Sequence, residues 1–196
     1  MAPTPTRLAL AASLLFVLAP ALATAGGTVA GKVDVTPARY QDETVVYLKG
    51  APRPKAPATH AMDQKGMKFL PMVLAVATGD TVEFLNHDGV EHNVFSPDGE
   101  AFNLGTFKPD EKRAHTFDAP GVYAIRCSIH PEMLGWVFVG ESRYAAPLDR
   151  KGRFRLEDVP PGTYVLAVWN AHAKGPERTV TVADGKTVEE TFALKP

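Results

Sequence analysis

Residues 122–140 read VYAIRCSIHPEMLGWVFVG, and this stretch decides the class of fold. It opens with a run of β-type residues that ends at Cys127, and it closes with a second such run from Trp136 to Val139. Valine, isoleucine and aromatic residues fit the pleated, half-buried surface of a strand. Because only a short segment containing Pro131 separates the two runs, the stretch predicts two strands joined by a tight loop.

Short runs of the same kind recur along the chain, each bounded by turn residues. The sequence contains 16 Gly and 17 Pro, and after the first 25 residues almost nothing has the periodicity of an amphipathic helix. The dipeptide Asp184-Gly185 predicts a hairpin between the last two runs. The pattern predicts an all-β fold built as sandwiches or barrels. The further runs are residues 31–35, 44–48, 72–77, 81–85, 93–95, 113–117, 154–156, 164–169, 179–182 and 187–194.

The first 25 residues have the features of a secretory signal. Arg7 is followed by an apolar stretch over residues 8–19, and Ala23-Thr24-Ala25 offers small residues for cleavage. We expect residues 1–25 to be a signal peptide that exports the protein to the periplasm, with no membrane span after cleavage. A retained anchor is the alternative, although the apolar run is short for a span and Pro20 follows it. The formal net charge of −1 gives no reason to expect a nucleic-acid partner.

Export changes the interpretation of Cys127, which is the only cysteine in the sequence. Cysteines in oxidising compartments usually pair, but this one has no partner within the chain. An odd cysteine in an exported protein is a reactive thiol, an intermolecular bridge or a metal ligand. The third possibility predicts other ligands close by.

Three potential ligands lie within seven residues, at the spacing C-x2-H-x2-M, as Cys127, His130 and Met133. A fourth candidate, His92, lies upstream beside a predicted strand. One thiolate, two imidazoles and a more distant thioether suit copper in both of its common oxidation states. Zinc is the chief competitor for one cysteine and two histidines. The set predicts a mononuclear metal site, with copper favoured by the methionine.

Other residues are weaker candidates for metal ligands. Any single member of the set could be an ordinary core or surface residue, and only the joint pattern indicates a site. Glu132 lies between two of the candidates, and a carboxylate ligand there would favour a catalytic, non-blue copper site. The other four histidines are expected on the surface or in turns, namely His60, His87, His115 and His172.

Five separated pieces of the sequence resemble, in order, the small type-1 (blue) copper proteins of the plastocyanin and amicyanin kind. The spacing of two residues between His130 and Met133 is similar to amicyanin. The resemblance implies a cupredoxin domain at residues 57–140, a Greek-key β-sandwich with one copper ion at one end. The five pieces are residues 67–71, 78–86, 92–94, 120–123 and the loop that begins at Cys127.

The resemblance also implies roles for individual residues. His92, Cys127, His130 and Met133 would bind the copper. Asn93 would tie the two ligand loops together by bonding to Ser128, and its backbone N–H would donate to the cysteine sulfur. His130 would be the solvent-edge port for electrons, inside an apolar rim that Pro131 and Leu134 help form.

The implied function is electron transfer between redox partner proteins by a monomer that is not an enzyme. The alternatives are a copper chaperone or storage protein, a nitrosocyanin-like copper enzyme, and a binding module in which copper is only structural.

Two segments lie outside the resemblance. Residues 26–50 and 141–196 resemble carboxypeptidase regulatory-like (transthyretin-like) β-sandwiches, through the runs at 27–33, 44–48, 149–156 and 159–166. We expect them to form one discontinuous second domain into which the cupredoxin is inserted. This domain shows no catalytic set, so it is expected to be a structural or docking module.

Overall fold

The computed structural model describes residues 26–53 and 56–195, and the predicted signal peptide lies outside these residues. The expected all-β fold is confirmed: the described residues form sixteen strands and one short 3-10 helix, Ala38–Glu43. None of their helices is long and apolar enough to cross a membrane. The strands are β1 Gly27–Val35, β2 Thr44–Lys49, β3 Thr59–Gln64, β4 Phe69–Leu70, β5 Val73–Ala77, β6 Thr81–Asn86, β7 His92–Ser96, β8 Phe102–Phe107, β9 Lys112–Thr116, β10 Gly121–Arg126, β11 Leu134–Gly140, β12 Ala145–Pro147, β13 Arg153–Val159, β14 Gly162–Asn170, β15 Glu177–Val182 and β16 Thr187–Leu194.

Strands from the middle of the chain form two sheets with one core. A five-stranded sheet has the order β5-β11-β10-β7-β8, and a four-stranded sheet has the order β4-β3-β6-β9. Their inward side chains fill a common core because alternate residues of each strand point to the same face. Fully buried members of this core include Met62, Phe69, Phe84, Phe117 and Ile125.

The two ends of the described chain meet in a second pair of sheets. Strand β1 pairs with β13 on one side and with β16 on the other, in the order β13-β1-β16. Strand β2 pairs with β12 and β14, in the order β12-β2-β14-β15. These two sheets share a separate core, which includes Val29, Val46, Leu166 and Leu194.

The sheets that contain β2 and β11 also pack against each other. Val45, Val73 and Phe138 form a buried cluster between their outer faces, and Trp136 and Trp169 pack against it with ring centroids 5.7 Å apart. Each of these sheets is therefore covered on both faces. This explains why β2, β11 and β14 have nearly continuous apolar sequences rather than a strict alternation with polar residues.

Two features of the sheets differ from the sequence predictions. Strands β3 and β8 were not expected, because β3 has the polar His60 and Gln64 on its inward face and β8 contains Gly105, at a φ of 74°. The short strands β4 and β12, of 2 and 3 residues, were not expected either. The predicted hairpin at Asp184-Gly185 is wrong. The chain does turn there, with Gly185 at a φ of 62°, but β15 pairs with β14 whereas β16 pairs with β1 in the other sheet.

The turn between β5 and β6 is held by the buried carboxylate of Asp80, which is only 4% exposed. Its oxygens accept bonds from the backbone N–H groups of Ala58 at 2.7 Å and Ala77 at 2.9 Å, and one lies 2.8 Å from Nε2 of His60. Burial alone raises the pKa of Asp80, but these three donors outweigh it, so its pKa lies below the usual value. The carboxylate therefore stabilises the turn in its ionised form.

We expect Asp80→Ala to lower the free energy of unfolding by about 3 kcal/mol, because two backbone N–H groups lose their acceptor. The folded protein holds the Asp80 proton less tightly than the unfolded chain does. Wild-type stability should therefore fall as the pH drops below about 4, while the variant should lack this component. Urea unfolding between pH 3 and 7 measures both effects. Asp42→Ala, at an exposed carboxylate, is the control, and equal losses in the two variants would contradict the assignment.

Candidate metal centre

The predicted donors lie where one strand ends and two others begin. His92 is the first residue of β7, and Cys127 follows the last residue of β10. His130 lies in the loop between β10 and β11, where its carbonyl accepts the backbone N–H of Met133 at 3.0 Å. The neighbouring strands β7 and β10 are paired, so residues 35 positions apart in sequence reach the same end of the sheet.

Three donor atoms form a compact triangle. Nδ1 of His92 lies 3.0 Å from Nδ1 of His130, and the two nitrogens lie 4.0 Å and 3.8 Å from Sγ of Cys127. A circle through these three atoms has a radius of about 2.1 Å, close to the roughly 2.0–2.3 Å of metal–nitrogen and metal–sulfur bonds. The three atoms therefore fit a single metal ion at trigonal positions.

Burial separates the donors into three interior residues and one at the edge. His92, Cys127 and Met133 are 0%, 2% and 1% exposed, and Met133 packs in the same buried cluster as Cys127. His130 is half-buried. The two candidate sulfur donors and one imidazole are thus shielded from water, while the second imidazole adjoins the surface.

Asn93 connects the two segments that supply the donors, as the sequence resemblance implied. Its backbone N–H donates to Sγ of Cys127 at 3.3 Å, and its side-chain oxygen accepts the backbone N–H of Ser128 at 3.3 Å. Its side-chain nitrogen donates to Asn103 at 2.8 Å. Both predicted bonds of Asn93 are confirmed. They fix the distance between the loops and place a donor on the sulfur.

Asp88 holds the other side of the His92 ring, and sequence reasoning missed this role. Its carboxylate lies 2.9 Å from Nε2 of His92 and accepts the backbone N–H groups of Gly66 at 2.7 Å and Met67 at 2.9 Å. Burial raises the pKa of Asp88, but these bonds outweigh it and lower its pKa below the usual value. An ionised Asp88 keeps the proton of His92 on Nε2 and leaves Nδ1 free to bind a metal.

Among the described side chains, one group could hold a metal, and it consists of His92, Cys127 and His130. The other four histidines are not part of this group. Three of the four pair with a carboxylate and the fourth stacks on a ring: His87 with Asp63 at 2.9 Å, His60 with Asp80 at 2.8 Å, His172 with Glu43 at 3.0 Å, and His115 on Phe102 with centroids 3.8 Å apart. Glu132 is exposed.

The loops around the donors carry the exposed apolar side chains. In the described parts of the chain, the exposed large hydrophobic residues lie on segments that lead to this end of the sheet, since β7 begins at His92 and β5 pairs with the start of β11. Ile129 and Val90 lie close in sequence to His130 and His92, and each is 47% exposed. Leu70 and Met72 flank Pro71 and are 44% and 36% exposed. These four residues are called the apolar rim. Pro131 and Leu134, which the resemblance implied for such a rim, are exposed and half-buried respectively.

Residues 56–140 match the family described as copper binding proteins, plastocyanin/azurin family. A curated relative, amicyanin from Paracoccus versutus, is 34% identical over 77 residues, which are 37% of this chain and 58% of amicyanin. The chain thus spans little more than half of that relative's length. This segment is a cupredoxin domain of the type-1 class, and copper is the metal that the class binds.

The chain is also similar to parts of solved structures. A purple cupredoxin from Nitrosopumilus maritimus is 29% identical, with a TM-score of 0.38, and the match covers 41% of this chain and 98% of that one. A copper-containing nitrite reductase from Thermus scotoductus is 30% identical, with a TM-score of 0.40, covering 56% of this chain and 28% of that one.

Residues 139–190 match a different family, polysaccharide lyase family 4, domain II. The resemblance of the outer segments to carboxypeptidase regulatory-like domains therefore stays a prediction.

We expect Asp88→Ala to weaken copper binding by about 10- to 100-fold, because the His92 ring loses the carboxylate that orients it. Competition with a Cu(I) chelator measures the affinity. Asp63→Ala is the matched control, since it removes the carboxylate partner of the exposed His87. The same affinity in Asp88→Ala and the wild type would show that Asp88 does not position the ligand.

Proposed function

We propose that this chain is an exported electron carrier that holds one type-1 copper ion through His92, Cys127, His130 and Met133. The observation that carries the proposal is the triangle of Nδ1, Nδ1 and Sγ atoms, whose size suits one metal ion. The buried Met133 in the same cluster supplies the soft thioether that favours copper over zinc.

Bound copper would supply one-electron chemistry between Cu(I) and Cu(II). The protein residues supply a fixed donor set that both states accept. Asn93 joins the His92 strand to the Cys127 loop, Asp88 fixes the His92 ring, and Pro131 restricts the backbone between the last two donors. A site held in this way changes shape little when the charge of the metal changes, so little reorganisation opposes electron transfer.

The partial exposure of one proposed ligand favours the exchange of electrons with a protein partner. His130 is the only one of the four proposed ligands that is not fully buried. Ile129 of the apolar rim directly precedes it in the chain, and a group of exposed apolar side chains is a feature that marks protein contact sites. We propose that redox partner proteins dock on the rim and approach the metal through the His130 ring.

We also propose that the chain has two domains, with the cupredoxin of residues 57–140 inserted into a sandwich formed by residues 26–50 and 141–196. The pairing of β1 with β13 and β16, and of β2 with β12 and β14, supports this division. The separate cores of the two pairs of sheets also support it. The outer sandwich would serve as a structural or docking module.

Periplasmic location is part of the proposal. It rests on the signal-like sequence of residues 1–25. The carrier would act as a monomer.

We expect Cys127→Ser to abolish the thiolate-to-Cu(II) absorption band and to leave the protein folded, because the other members of the cupredoxin core remain in place and serine has nearly the shape of cysteine. Visible absorption and far-UV circular dichroism measure the two properties. A retained intense band in this variant would remove Cys127 from the ligand set.

A redox titration tests electron transfer itself. We expect a reversible one-electron transition in the wild type and a lower reduction potential in Met133→Gln, because an amide oxygen favours Cu(II) more than a thioether does. Glu132→Ala should keep the wild-type potential. A shift in Glu132→Ala with none in Met133→Gln would instead assign the fourth ligand to the carboxylate and favour a catalytic copper site.

A further inference from the structure

A cleft lies between the two sandwiches, away from the metal centre. It has a volume of 390 Å³, within the range of about 300–1,000 Å³ typical of small-molecule sites. Residues from β2 and β14 form one wall, and residues at the start of β10 and the end of β11 form the other. Gly121 is paired with Val139, at the end of β10 remote from Cys127, so about 20 Å of strand separates the cleft from the donors.

The walls of the cleft are aromatic and only partly covered. The rings of Tyr47 and Phe138 lie 4.7 Å apart between centroids, and those of Phe138 and Trp169 lie 6.0 Å apart. Tyr47 and Trp169 are half-buried, and both line the cleft with Val122. The aromatic ring of a ligand could pack against these side chains, since a cavity of about 150 Å³ already holds benzene. The volume also leaves room for a short substituent.

The charged residues at the cleft determine which charge the substituent of a ligand should carry. Lys49 and Glu141 are the only charged residues that line it. Lys49 is paired with Glu177, so its charge is compensated. Glu141 is exposed, and no ion pair joins it to any side chain in the described parts of the chain. The uncompensated charge is therefore a carboxylate beside aromatic rings, a combination that attracts an organic ammonium group.

We propose that this interdomain cleft binds a small aromatic amine, with its ring against Tyr47 and Trp169 and its ammonium group at Glu141. Both sandwiches contribute to the site, so neither forms it alone. The proposal does not depend on the copper function, because the cleft and the metal centre share no residue.

Calorimetric titration of the copper-loaded full chain with 2-phenylethylammonium tests the proposal. The neutral 2-phenylethanol, which has the same ring and arm, is the reference ligand. We expect Glu141→Gln to weaken binding of the amine by roughly fivefold and to leave binding of the alcohol unchanged. Trp169→Leu should weaken both ligands. Asp184→Asn, which removes an exposed carboxylate from a distant turn, should change neither.

Three results would overturn the proposal. No heat of binding at millimolar amine would show that the cleft is only a gap between packed domains. Equal affinities of the wild type and Glu141→Gln for the amine would remove the role of the carboxylate. Binding that persists in Trp169→Leu but disappears from copper-free protein would assign the amine to the metal. Circular dichroism checks that each variant is folded.

Discussion

The candidate site depends on the bonds that Asn93 makes across two segments of the chain. His92 and Cys127 come from different strands, and the distance between them is set by the Asn93 N–H bond to sulfur and the Ser128 N–H bond to the Asn93 side chain. These bonds set the distance between the two segments that supply the donors. Asp88 completes the site by fixing which nitrogen of His92 is available to a metal.

The surrounding architecture explains how such short loops stay rigid. Strand β11, which begins directly after Met133, is covered by the cupredoxin core on one face and by the second sandwich on the other. Trp136 reaches across the boundary, where its indole N–H donates to Glu43 at 2.9 Å, and Glu43 also bonds His172. The second sandwich thus contacts the cupredoxin at the strand that carries the last ligand loop, while the His130 edge stays open to a partner.

The proposed donors can be found in the sequence because their spacing is local. Cys127, His130 and Met133 share one loop, and Asn93 is next to His92, so short motifs contain most of the site. Asp88 was missed because its role depends on a tertiary contact with Gly66 and Met67. The hairpin at Asp184-Gly185 failed for a related reason: a turn dipeptide determines where the chain reverses but not which strands pair. The cleft also depends on how two sandwiches pack, which no local pattern encodes.

The most direct test of the account is a visible absorption and EPR spectrum of the protein without residues 1–25 after addition of one equivalent of Cu(II). The account predicts an intense thiolate-to-copper band and a narrow copper hyperfine splitting, as the set of His92, Cys127, His130 and Met133 requires. A colourless protein, or a weak band with the ordinary hyperfine splitting of a copper site without a thiolate, would contradict the type-1 assignment and with it the proposed electron transfer.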